Sequence, residues 1–166
     1  LIKPFKKKLN INFNKNKKNM GFAMNALKVS LMAKGDFIWF LGDDDLVVNN
    51  SIKYLTNLIK KNKNIDFFWI NSFYLDRFYL QKFSKPFDIK NLPKKMQTHS
   101  TQKNNKILNF FELIDHRICF DFLLGFYVNA FRRDMWINNL HVLDKNLMKK
   151  PGTWSTFDNT CFYIKV

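Results

Sequence analysis

Apolar and polar residues change period several times along this chain, and each change marks an element. Leu9, Ile11 and Phe13 alternate with asparagines, the period-two pattern of a short strand. Asn19-Met20-Gly21 reads as a turn. Over residues 22–33 the apolar positions fall at Ala23, Leu27 and Leu31 and at Met24, Val29 and Met32, which is helical spacing. Gly35 stands where a helix-ending glycine is expected. The run Phe37-Ile38-Trp39-Phe40-Leu41 is continuously apolar between Asp36 and Gly42, the pattern of a strand buried on both faces. Asn50 or Ser51 then caps a helix carrying Ile52, Leu55, Leu58 and Ile59. Lys60, Lys61 and Lys63 suit the negative end of its dipole.

Further along, residues 65–73 read as a strand, with residues 74–83 pairing with it. Residues 84–105 hold two prolines and many polar residues, a long loop. Residues 108–114 form a short helix. Residues 125–131 form a strand, followed by Arg132, Arg133 and a helix around Trp136. Residues 144–156, with Pro151 and Gly152, are loop, and residues 157–164 have helical spacing at Phe157, Cys161 and Ile164. There is no internal repeat and no linker-like segment. Strands alternating with helices argue an α/β sheet with at least some parallel strands. In such sheets ligands bind beyond the carboxyl ends of the strands, and Asp43, Asp44 and Asp45 follow such an end.

Composition sharpens this only in part. With 166 residues, one domain is expected, and 46% hydrophobic with 17% aromatic content excludes a disordered chain. Lys+Arg number 28 against 13 Asp+Glu, a net charge of +15, which favours anionic partners. Enrichment in Lys, Asn, Ile and Phe runs through the whole chain and accounts for part of that excess. The lysines are scattered and the aromatics sit in apolar runs rather than on a basic aromatic face, so no nucleic acid is expected. Cys119 and Cys161 are far apart without metal-ligand spacing and fit free thiols in a reducing, cytoplasmic compartment. No run of 18 apolar residues occurs, so no membrane-spanning helix is expected. His99, His116 and His141 lack ligand spacing and read as structural or surface residues. Trp69, Phe73 and Tyr74 are of types that stack on sugars, but core packing is the commoner fate of such side chains.

Three adjacent carboxylates repel one another, and each needs water, a donor or a cation. A hard divalent cation meets that need: Mg²⁺ and Mn²⁺ take oxygen ligands, usually one or two carboxylates plus substrate phosphates. A solvated acidic turn before the next helix would explain the triplet equally well on its own. The surroundings shift the balance, because a buried strand precedes it, a helix follows, and Gly35-Asp36 leads in. Taken together, Asn19-x-Gly21, Asn25 and Ala33-x-Gly35-Asp36-Phe37-Ile38-Trp39-Phe40-Leu41-Gly42-Asp43-Asp44-Asp45 resemble the signature of glycosyltransferase family 2, closely over residues 19–59. The resemblance implies a GT-A-like, Rossmann-like mixed α/β sheet with helices on both faces. It implies sugar transfer from a nucleotide-diphosphate donor with Mg²⁺ or Mn²⁺. Asp44 and Asp45 would then serve the metal and diphosphate, Asp43 the ribose or sugar of the donor, and Gly21 and Asn25 would lie near the nucleotide. Arg132 or Lys28 would help hold phosphate.

Two departures from the family pattern stand out. Many members carry Asp where this chain has Gly42. The usual opening strand, helix and base-gripping Asp are not recognisable, so the fold is expected to be incomplete at the N-terminus. The expected organisation is one partial catalytic domain over residues 1–166, with a donor and metal part in 1–83 and an acceptor part in 84–166. Inverting transfer needs a general base, and by resemblance Asp158, before a helical run, is the candidate, with Asp121 second. Either aspartate is also explained as a helix cap or a loop residue. The acceptor would be a glycan or lipid-linked glycan of a bacterial surface polysaccharide such as lipopolysaccharide, with the basic face against an anionic membrane at the cytoplasmic side. An inert remnant of such an enzyme is the competing expectation, and a basic nucleic-acid-binding module the third.

Overall fold

The computed structural model describes residues 3–85, 87–109, 112 and 125–142. In chain order these form α1 (Lys3–Lys6), α2 (Phe22–Met32), β1 (Phe37–Trp39), α3 (Ser51–Lys61), β2 (Phe67–Trp69), α4 (Arg77–Leu80), β3 (Asn129–Arg132) and α5 (Arg133–Asn138). Single 3₁₀ turns lie at Ile89–Asn91, Phe126–Val128 and Leu140–Val142.

The three strands make one sheet in the order β1-β3-β2, and both pairings are antiparallel. β1 and β2 therefore point the same way, joined through α3, but β3 runs between them in the opposite sense. The expected parallel strands share a direction without being hydrogen-bonded neighbours. Family alternation anticipated the β–α–β unit; it carried no sign of the strand arriving from residue 129 to divide it. The sheet is thus mixed α/β, as expected, with only antiparallel ladders among the described residues.

Register fixes the faces, because directly opposed residues share one. Ile38, Phe131 and Phe67 line up on one side, and Phe37, Trp39, Phe68, Ala130 and Arg132 on the other. The core forms on the first side, where Ile38, Phe131 and Trp136 are buried beneath Ala23, Met24, Leu27 and Ala33 of the α2 segment and Ile137 of α5. Phe131 and Trp136 rings meet at 5.0 Å, and Phe40 packs against both. Trp136 Nε1 donates to Ser30 Oγ at 2.8 Å, and the Ser30 hydroxyl donates in turn to the Leu27 carbonyl. With Ser30 fully buried, this satisfies the one polar atom of the indole inside the core. α2 and α5 thus share a face, and α3, whose apolar stripe was expected to be covered, has no buried residue. The sandwich of helices on both faces is not seen among the described residues.

Several local expectations change for identifiable reasons. Residues 9–13 form no strand, for no neighbouring strand offers them a ladder. α2 ends on an extended Ala33 whose N–H bonds Ser30 O, so Gly35 is not its cap. Asn50 does precede α3, but with a left-handed φ of 68° and no side-chain bond to the helix. Residues 74–83 turn into α4, which Asp76 initiates by accepting from Phe78 N. The loop at residues 84–105 returns along the carboxyl end of β2: Tyr74 N bonds Gln97 O, His99 N bonds Ser72 O, and Phe73 bridges Thr98. The start of the expected strand at residues 125–131 is a 3₁₀ turn. Of the helix expected at residues 108–114, residues 108 and 109 are not helical and 110, 111, 113 and 114 lie outside the described residues, as do the helix expected at 157–164, the loop at 144–156, Asp121 and Asp158.

Candidate active site

α2 runs into β1 through residues 33–36, and Ala23, Met24 and Leu27 of α2 pack against the cluster that holds Ile38 of β1, so the chain reverses between them and the start of α2 is set towards the carboxyl end of β1. The turn into α2 is built by Asn19, whose Oδ1 accepts from Gly21 N at 2.9 Å, and by Gly21 itself, at a φ of 75° that side chains resist. Asn25 N then bonds Gly21 O. Asn16 ties in from the preceding segment: its amide donates to Asn25 Oδ1 at 2.9 Å, and its Oδ1 accepts from Lys28 Nζ at 2.8 Å. The result is an open cavity of about 420 Å³ lined by Asn16, Lys18, Asn19, Gly21, Phe22 and Asn25. Gly21 and Asn25, expected near a nucleotide, are thus brought together. No acidic residue stands in the first turn of α2, and no side chain caps it. The positive end of the helix dipole, with Lys18 and Lys28, gives this end a positive potential.

The acidic residues follow β1 at the same end. Residues 42–45 close a turn in which Asp45 N bonds Gly42 O, and Asp45 Oδ2 accepts from Gly42 N at 2.6 Å. Gly42 explains itself here. A Cβ at this position would stand 2.6 Å from Asp44 Oδ1 and 3.1 Å from Asp45 Oδ2. Both carboxylate oxygens therefore converge on the space that a side chain would fill. The glycine that departs from the usual family pattern is the residue that lets Asp44 and Asp45 converge. Among the described residues no group of three or more His, Cys, Asp or Glu could hold a metal ion. A pair of carboxylates on one side of a turn does suit Mg²⁺ or Mn²⁺ that completes its shell with water and diphosphate oxygens. Asp43, Asp44 and Asp45 do not line the α2 cavity.

Arg132 is placed differently from the expectation. The register sets it opposite Phe37, at the amino end of β1, while the aspartates follow the carboxyl end. Its guanidinium is engaged there by the Asp66 carboxylate, by the Lys63 carbonyl at 2.8 Å and by the Phe37 ring at 4.9 Å. Arg132 is therefore a tie between strands and is set aside as a donor ligand. Arg133 likewise braces the α2–β1 connection, bonding Ala33 O through Nε and Asp36 O through its backbone.

Spacing gave no sign of one cluster at the carboxyl end of β1 and β2. His99 sits between two phenols, with Tyr74 Oη 3.1 Å from Nδ1 and Tyr127 Oη 3.2 Å from Nε2. Its partners lie 25 and 28 residues away in sequence, and the loop that carries it folds back onto β2.

Residues 1–133 match Glycosyl transferase family 2, and the chain belongs to that family. Membership implies the GT-A fold and glycosyl transfer from nucleotide sugars to an acceptor. No curated protein and no solved structure matches the chain.

Proposed function

We propose that this chain transfers a glycosyl group from a nucleotide-diphosphate sugar to a glycan or lipid-linked acceptor during assembly of a surface polysaccharide. The observation that carries the reading is the turn at residues 42–45, where Asp44 and Asp45 converge over Gly42 at the sheet end that also holds the α2 cavity. In this reading Asp44 and Asp45 hold Mg²⁺ or Mn²⁺, with Asp43 beside the ribose or sugar of the donor. The cation, when bound, supplies Lewis-acid neutralisation of the departing diphosphate. Gly21 and Asn25 border the nucleotide, and Lys28, anchored through Asn16, contributes positive charge. Asp158, or failing that Asp121, takes the proton from the acceptor hydroxyl.

The basic residues Lys6, Lys7, Lys8, Lys15, Lys17 and Lys18 lie near the exposed Phe5, Leu9 and Phe13 in sequence. That mixture supports peripheral contact with the anionic cytoplasmic face of a membrane. No helix among the described residues is long and apolar enough to cross one.

Calorimetry tests the donor site directly. Uridine, guanosine and thymidine diphosphates are titrated with and without Mn²⁺ into the parent, Asp44→Ala and Asp45→Ala. Mn²⁺-dependent binding by the parent that both variants lose is expected. Equal binding in all three proteins rules the assignment out.

A further inference from the structure

We propose that Tyr74, His99 and Tyr127 form the subsite that receives the acceptor sugar, on the premise that the chain is a glycosyltransferase. The position follows from topology. β1 and β2 point the same way, so residues 71–74 emerge from the sheet at the end where residues 42–45 emerge. Tyr127 precedes β3 at that same end. Its carbonyl accepts from Trp39 Nε1 at 2.7 Å, which fastens it to the last residue of β1, three positions before Gly42. Tyr127 thus touches the strand that delivers the aspartates through its backbone and His99 through its phenol.

The cluster is built rigidly. Asn71 clamps the returning loop from both sides, donating to Ser100 O at 2.9 Å and accepting from Ser100 N at 3.0 Å. Backbone bonds from Tyr74 to Gln97 and from His99 to Ser72 hold the loop beside it. The Tyr74 and His99 rings stack with centroids 4.2 Å apart, and Tyr74 remains 48% exposed. Each ring nitrogen of His99 lies within hydrogen-bonding distance of one phenol, Nδ1 of Tyr74 and Nε2 of Tyr127. Among the described residues, Ser72 Oγ is buried with no hydrogen-bond partner. An exposed flat ring with polar groups at its rim meets a pyranose in both of its chemistries, an apolar C–H face and a ring of hydroxyls.

The test uses the whole chain and a panel of methyl pyranosides of glucose, galactose, mannose and N-acetylglucosamine. Imidazole ¹H–¹⁵N resonances of His99, assigned with His99→Gln, are followed on titration, and Mn²⁺–nucleoside-diphosphate binding is measured in the same samples. At least one glycoside is expected to shift the His99 resonances. Tyr74→Ala is expected to weaken that glycoside about tenfold. Tyr74→Phe, which keeps the ring, retains most of the affinity and guards against a folding artefact. Nucleotide binding is expected to be unchanged in both. Nucleotide binding without a His99 response to any of the glycosides overturns the subsite while leaving the transferase reading intact. Loss of nucleotide binding in the parent overturns that reading, and the subsite with it as an acceptor site, whatever His99 does.

Discussion

Gly42→Ala separates the geometry of the acidic turn from its charge. The added carbon would lie 2.6 Å from Asp44 Oδ1, whereas ordinary van der Waals contact begins at 3.4 Å. The carboxylate must retreat by the better part of an ångström. It can do so cheaply for the fold, because Gly42 and Asp44 are exposed and the atom displaced is the end of a side chain. The φ of Gly42 also lies outside the left-handed region, so an alanine backbone fits. Folding stability should therefore change by no more than about 0.5 kcal/mol. The cation is less forgiving, since Mg²⁺ demands near-ideal octahedral geometry at about 2.1 Å. Displacement of a ligand's setting typically lowers metal affinity by roughly 10- to 100-fold, or about 1.4 to 2.7 kcal/mol. Calorimetry of Mn²⁺ with a nucleoside diphosphate, beside thermal unfolding, reads both quantities. If Gly42→Ala binds like the parent while Asp44→Ala does not, the two carboxylates do not need to converge, and the argument from Gly42 fails. A large drop in melting temperature would instead refute the claim that Asp44 is free to swing.

Other substitutions probe the scaffold. Ser30→Ala strands the buried Trp136 N–H and should cost about 1–3 kcal/mol in denaturant unfolding, while the Ser30→Ala/Trp136→Phe pair should show coupling in a double-mutant cycle. Asn50→Val places a β-branched residue at a φ of 68° and should destabilise α3 by roughly 1–2 kcal/mol by circular dichroism melting, whereas Asn50→Gly should not. Arg132→Ala should cost no more than about 1 kcal/mol from a pair that is partly exposed, and it should leave Mn²⁺–nucleotide affinity at the parental value. A loss of that affinity would contradict the placement of Arg132 at the far end of the sheet.

Much of the structure around the proposed donor site was legible in sequence because its parts are local. Helical spacing over residues 22–33, the apolar run before Gly42 and the acidic triplet all lie within residues 19–59, and their order along the chain is their order in space. The Gly21 turn and the Asn25 contact need only one helical turn to be brought together. What failed was equally local in cause: Gly35 and Asn50 have the right residue type at a helix boundary, yet neither makes the capping bond the type suggests.

Everything that depends on β3 was decided by tertiary structure. Apolar periodicity cannot say which strand a segment will join, because strand pairing is a contact between residues far apart in sequence. Once residues 129–132 insert between β1 and β2, Arg132 is carried to the amino end of β1, paired with Asp66 and away from the acidic turn. The same insertion carries Tyr127 to the carboxyl end, where the loop holding His99 folds back to meet it. Sequence alone determined the family motif and the acidic turn. The antiparallel middle strand determined which distant side chains share the end of the sheet with them, because hydrogen-bonded register, not proximity along the chain, sets those neighbours.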